Sequence, residues 1–203
     1  MIKNDYLIGY LLRICTFIFL FSRGCLYIIF DSPYRALLWN EQLFGPFVEL
    51  FGSSWQHYAD TSDPSILVLE KSIGIFLIFS SLCVLRIKNS KAQKFMSTSI
   101  AGSGIFTCFH IFLKYLGHDH ELPIVAEYIL QGLTPFLFLA YLKLSPDNKE
   151  GKWQNPSSLL FLSSKVIISL CFLGHGLYAA GWPYQPAHFV RMLSTAIFVD
   201  FDT

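Results

Sequence analysis

The sequence predicts an all-α fold, a polytopic transmembrane bundle of about five spans. Of the 203 residues 53% are hydrophobic and only 14% are charged, whereas soluble domains carry about 25% charged residues. The stretch Leu11–Phe30 is apolar, and about 20 apolar residues in a helix cross a bilayer core of about 30 Å. We expect one membrane-embedded domain over residues 1–203.

The five spans follow from apolar stretches separated by turn-forming or polar segments. Span one covers Tyr6–Phe30 and ends at Asp31-Ser32-Pro33, because Pro and the residue before it resist helix continuation. The other spans and a last, incomplete C-terminal helix are predicted at Ser65–Leu85, Ser97–Leu116, Leu122–Leu144, Leu159–Trp182 and Ala187–Phe201. Small residues are frequent early in span three, where they allow close helix packing in lipid.

An amphipathic segment, Pro33–Phe51, separates spans one and two. Apolar residues alternate there with Arg35, Glu41 and Glu49. This mixture predicts one or two short helices that lie at the membrane surface and break at Gly45-Pro46. Trp39, Trp55 and Tyr58 suit the headgroup region, where amphipathic aromatic residues collect.

Lys and Arg are concentrated in the loops that follow spans two and four, Arg86–Lys94 and Ser145–Ser158. The positive-inside rule therefore predicts a cytoplasmic N-terminus and an outward-facing amphipathic segment, in a bacterial-type cytoplasmic membrane. The net charge of +1 gives no concentrated basic face for a nucleic acid. The five Cys residues lie in apolar stretches without CxxC spacing, as buried small hydrophobes do.

Five polar residues from five different segments share one depth near the outward end of the spans. Each lies about 8–10 Å inside that boundary at 1.5 Å per helical residue. We call this set the polar layer: Arg23, Glu70, His110, Glu127 and His175. Isolated polar groups in hydrocarbon are costly, so we expect these side chains to face the bundle interior and to pair, with Arg23 binding Glu70 or Glu127.

The polar layer allows two interpretations, structural hydrogen bonding between helices or a ligand-binding site that opens outward. Three ligands remain open for such a site. His110 and His175 could be axial ligands of a b-type haem, or could hold a divalent metal together with Glu70 and Glu127. The third ligand is a quinone headgroup, held by hydrogen bonds without a metal.

A partial internal repeat links span one with span five. Arg23-Gly24-Cys25-Leu26-Tyr27 resembles His175-Gly176-Leu177-Tyr178, and Pro33-Tyr34-Arg35 resembles Pro183-Tyr184-Gln185. Repeats are common in membrane folds. On this interpretation the chain is the N-terminal part of a longer two-repeat fold, or it is completed by a protein partner or a second copy.

Leu11-Leu12-Arg13, followed eleven residues later by Gly24, resembles the first helix of DoxX-like membrane proteins. The resemblance covers span one and departs where that family has a Gly (here Phe17) and a Lys (here Tyr27). It implies a small helical bundle, and some members are linked to quinone-dependent oxidation of sulfur compounds or to redox partner systems. No catalytic residue carries over from this resemblance. From the polar layer we expect a membrane redox component that binds a quinone, a haem or a metal; the alternative is a non-catalytic assembly factor or subunit.

Overall fold

The computed structural model describes residues 2–30, 32–87, 92–117, 122–144 and 158–179, and all regular structure within them is helical. The all-α prediction is confirmed for this part of the chain. Its helices are α1 Ile2–Ile29, α2 Pro33–Leu38, α3 Glu41–Leu50, α4 Trp55–Thr61, α5 Asp63–Arg86, α6 Gln93–Gly117, α7 Leu122–Leu144 and α8 Ser158–Ala179.

Three of the described helices are long and apolar enough to cross a membrane, which indicates a membrane protein. They contain the segments Gly9–Ile29, Asp63–Arg86 and Gln93–Leu116. Helices α7 and α8 form where spans four and five are predicted, and the apolar part of α8 is the shorter Leu162–Leu177. The predicted C-terminal helix Ala187–Phe201 lies outside the described residues.

Four long helices pack in a closed ring in the order α1, α5, α6, α7, with α7 returning to α1. Helix α8 packs against α7, outside this ring, and α2 lies across α5 and α6. Apolar side chains from all four ring helices meet in the centre, among them Leu20, Leu77, Ile100 and Phe138. Many other large apolar side chains of the same helices are exposed, as expected for surfaces that contact lipid.

Two glycines bring the backbones of α1 and α5 into contact. A Cβ atom on Gly24 would lie 2.7 Å from the carbonyl oxygen of Gly74, and one on Gly74 would lie 2.9 Å from that of Gly24. Backbone therefore touches backbone at this crossing, which only residues without a side chain permit. The crossing fixes the positions of the side chains one turn away on both helices.

Small polar residues make the next helix contact, between α5 and α6. The hydroxyls of Ser80 and Ser99 are hydrogen-bonded at 2.8 Å, and both residues are buried. A Cβ atom on Gly104 would lie 2.7 Å from the Phe136 ring of α7. The small-residue part of span three thus gives the close packing that the sequence predicts.

Helices α2, α3 and α4 form the outer segment between α1 and α5. The predicted break at Gly45-Pro46 is wrong, because α3 runs through both residues. Pro normally clashes with the Cβ of the preceding residue, and Gly45 has none. Helix α3 instead begins after Asn40, whose side chain accepts a hydrogen bond from the Leu43 amide at 3.0 Å.

The outer segment is attached to the bundle by specific polar contacts. The Arg35 guanidinium forms an ion pair with Asp63 at the start of α5, with 2.7 Å between Nη2 and Oδ1. The Tyr58 hydroxyl donates to the Leu38 carbonyl at 3.2 Å. Leu50 and Phe51 at the end of α3 are 79% and 85% exposed, which is typical of an interfacial helix.

Replacing Gly24 with Ala should destabilise the protein, because the added methyl group meets the backbone of α5. We expect a loss of about 1–3 kcal/mol, the usual effect of overpacking. Thermal unfolding followed by circular dichroism in detergent measures it. Gly176→Ala in α8 is the matched control, because its Cβ would meet open space; equal stability of the two variants would contradict the crossing.

Candidate functional site

Arg23 of α1 contacts the neighbouring helix α7. Its guanidinium donates a hydrogen bond to Gln131 Oε1 and lies over the Tyr128 ring, with 5.7 Å from Cζ to the ring centroid. Of the two ion pairs expected for Arg23, the one with Glu70 is wrong, because no hydrogen bond reaches the Glu70 oxygens within the described part of the chain and the described hydrogen bond of Arg23 goes to Gln131. The side chain of Glu127, the other expected partner, lies outside the described residues.

One turn further along α1, Tyr27 reaches α6. Its hydroxyl is hydrogen-bonded to Nδ1 of His110, and the two side chains are 2% and 3% exposed. The edge of the Tyr128 ring also approaches His110, at 6.2 Å between centroids. Nε2 of His110 is buried and has no hydrogen-bond partner among the described residues.

Glu70 of α5 completes the set from inside the ring. It is 1% exposed, and neither carboxyl oxygen has a hydrogen-bond partner in the described part of the chain. Glu70 lies one turn before Gly74, so the glycine crossing turns it towards α1. It is within electrostatic reach of the Tyr27 hydroxyl, as is Arg23. We call these residues the buried cluster: Arg23, Tyr27, Glu70, His110 and Gln131.

Tyr34 of α2 packs against the buried cluster from the side of the segment that joins α1 to α5. Its ring packs edge-on against Tyr27, with 5.7 Å between the centroids, and also against Phe109 of α6. Its hydroxyl donates to the carbonyl of Phe106. Burial raises the pKa of the Tyr34 hydroxyl above its ordinary value, so it remains a neutral hydrogen-bond donor.

His175 has a different environment from the other described members of the polar layer. It lies on α8, outside the ring, and its side chain is exposed, whereas His110 is buried on α6. Within the described residues, no three His, Cys, Asp or Glu side chains come together as a metal site requires. Arg23, Glu70 and His110 are therefore the layer members that the described structure brings together.

Arg13, the other arginine of span one, is separate from the buried cluster. Its Nη2 atom lies 3.5 Å from the carbonyl oxygen of Ile87 at the end of α5, and its Cζ lies 6.0 Å from the centroid of the Phe138 ring. A cation at a helix C-terminus interacts favourably with the unpaired carbonyls there. Arg13 thus joins α1, α5 and α7 at the opposite end of the ring.

The buried cluster contains both hydrogen-bond donors and hydrogen-bond acceptors that are unused within the described chain. The single described hydrogen bond of Arg23 uses one of five guanidinium N–H groups, while Glu70 and His110 Nε2 are unpaired within the described chain. Such atoms are expensive to bury unless something binds them. The rings of Tyr27 and Tyr128 pack against His110, and the ring of Tyr34 packs against Tyr27. The arrangement suits a flat, polar-edged ligand.

Sequence reasoning missed Tyr27 and Gln131 as members of this set. Both could have been found by helical spacing, because Tyr27 follows Arg23 by four residues and so shares its face of α1. Gln131 likewise follows Glu127 by four residues on α7.

Comparison of this chain with protein-family models, with curated proteins and with solved structures found no match in any of the three. The DoxX-like resemblance therefore remains a prediction that rests on the residues of span one.

Proposed function

We propose that this protein is a redox-associated component of the membrane that binds a quinone-type headgroup in the buried cluster. The observation that carries the proposal is the Glu70 carboxyl group, which is enclosed by the helix ring and unpaired within the described chain. An ionisable residue inside a transmembrane bundle marks a functional site by default. His110 Nε2, which is also buried and unpaired within the described chain, supplies a second unfilled hydrogen-bonding position.

A quinone fits the buried cluster better than a haem or a metal ion does. A bis-histidine haem needs two imidazoles facing one another, whereas His110 is hydrogen-bonded to Tyr27 inside the ring and His175 is exposed on α8. A structural or catalytic metal takes three or more protein ligands, a set that the described residues do not assemble. A quinone headgroup needs hydrogen-bonding groups and aromatic walls, and both are present.

The proposed topology has five spans, with α1, α5, α6, α7 and α8 crossing the bilayer and the N-terminus in the cytoplasm. Arg86 and Lys94 flank the α5–α6 loop, while acidic residues such as Glu41 and Asp60 occupy the outer segment. This asymmetry supports an outward-facing buried cluster under Tyr34. The ligand then enters near the outer leaflet, beside the exposed apolar end of α3.

Cysteine labelling tests this orientation. In a variant whose five native cysteines are replaced by Ala, a membrane-impermeant maleimide should label Gln56→Cys on α4 in intact cells. It should label Ala92→Cys, in the loop before α6, only after the membrane is permeabilised. The reverse pattern would invert the proposed topology.

Ligand binding tests the function itself. Solvent extraction of the purified protein should release a quinone, and the delipidated protein should bind a short-chain quinone. His110→Ala should weaken this binding by about 2–10-fold, the effect of one lost hydrogen bond. His57→Ala is the matched control, because His57 is exposed on α4, and it should leave the dissociation constant unchanged.

Two results would contradict the proposal. A Soret absorbance band would show that the bound ligand is a haem and not a quinone. A protein that is well folded yet neither contains nor binds a quinone would favour the alternative, a non-catalytic subunit or assembly factor.

A further inference from the structure

Three hydrogen-bond donors of the surrounding helices are bonded to groups other than Glu70. Lys71, the next residue on α5, directs its ammonium group to the carbonyls of Tyr27 and Phe30, at 2.9 and 3.3 Å. The Tyr34 hydroxyl donates to Phe106, and the described hydrogen bond of Arg23 goes to Gln131. The Glu70 oxygens thus lack a donor from any of these neighbours.

On the basis of the proposed function, we propose that the buried cluster binds the reduced, hydroquinone form of its ligand more tightly than the quinone form. The hydroxyl of a hydroquinone donates one hydrogen bond and can accept another. The carbonyl oxygen of a quinone only accepts. The hydroquinone can therefore donate to a Glu70 carboxylate, which the carbonyl oxygen of a quinone cannot do.

Glu70 is the residue that distinguishes the two forms. The unused N–H groups of Arg23 can donate to a quinone carbonyl and to a hydroquinone oxygen alike, so Arg23 contributes similarly to both affinities. A site built to hydrogen-bond a ligand hydroxyl discriminates against the analogue without it, because its own buried polar group is then unpaired. The specificity for the hydroquinone is the difference between the binding free energies of the two forms, not the total binding free energy of either one.

A cationic ligand could also donate to Glu70, but the charges of the buried cluster disfavour it. Arg23 lies within electrostatic reach of both Tyr27 and His110. A second positive charge beside the Arg23 guanidinium would be repelled inside a low-dielectric bundle. A neutral diol on an aromatic ring satisfies Glu70 without that repulsion.

The preference is measured by titrating the protein anaerobically with a short-chain quinone and with its hydroquinone. For the wild type we expect the hydroquinone to bind about tenfold more tightly, the effect of one additional hydrogen bond. A tenfold preference raises the midpoint potential of the bound two-electron couple by about 30 mV, which a redox titration detects independently.

Glu70→Gln should reduce the ratio of the two dissociation constants to about threefold or less, because a side-chain amide both donates and accepts. Glu49→Gln, on the exposed surface of α3, is the matched control and should leave the ratio unchanged. Circular dichroism establishes that both variants are folded. If Glu70→Gln does not fold, the ratio of the two dissociation constants in the wild type tests the preference by itself.

The outcomes separate this inference from the function on which it rests. If the wild type binds neither form, the proposed quinone site falls. If it binds the quinone as tightly as the hydroquinone, Glu70 offers a proton instead of accepting one, and only the preference falls. If Glu70→Gln keeps the wild-type ratio of the two dissociation constants, the assignment of the preference to Glu70 is also overturned.

Discussion

The contact between Gly24 and Gly74 is the constraint on which the rest of the structure depends. Because neither residue has a side chain, the backbones of α1 and α5 touch at this point. Arg23 and Tyr27 lie beside the crossing on α1, and Glu70 lies one turn before it on α5. A wider crossing would separate these side chains and admit lipid or water between them.

The buried cluster connects the ring of helices in addition to forming the site. The hydrogen bond from Arg23 to Gln131 joins α1 to α7, and that between Tyr27 and His110 joins α1 to α6. Interhelical hydrogen bonds in membranes contribute about 0.6–2 kcal/mol each. Glu70, within the same ring, makes no such bond within the described chain. Its burial is therefore not explained by helix pairing, which is why we propose that it binds a ligand.

Much of this arrangement could be predicted from the sequence. The lengths of the apolar stretches indicate where the long helices lie, and the distance of each polar residue from the end of its span indicates which of them share a depth in the membrane. Arg23, Glu70 and His110 were expected together on that basis. Depth does not give the position of a helix around the bundle, however, so the sequence could not show that α8, which carries His175, packs outside the ring. Nor could depth distinguish Glu70 from Gln131 as the partner of Arg23. Local chemistry also overrode a general rule at Gly45, where the missing Cβ lets α3 continue through Pro46.

The central claim is that a buried Glu70 carboxyl group receives a hydrogen bond from the ligand. Infrared difference spectroscopy of the protein in lipid, recorded before and after addition of a hydroquinone, observes that group directly. The account predicts a change in the carboxylate stretching bands that is present in the wild type and absent in Glu70→Gln. Identical difference spectra for the two proteins would contradict it.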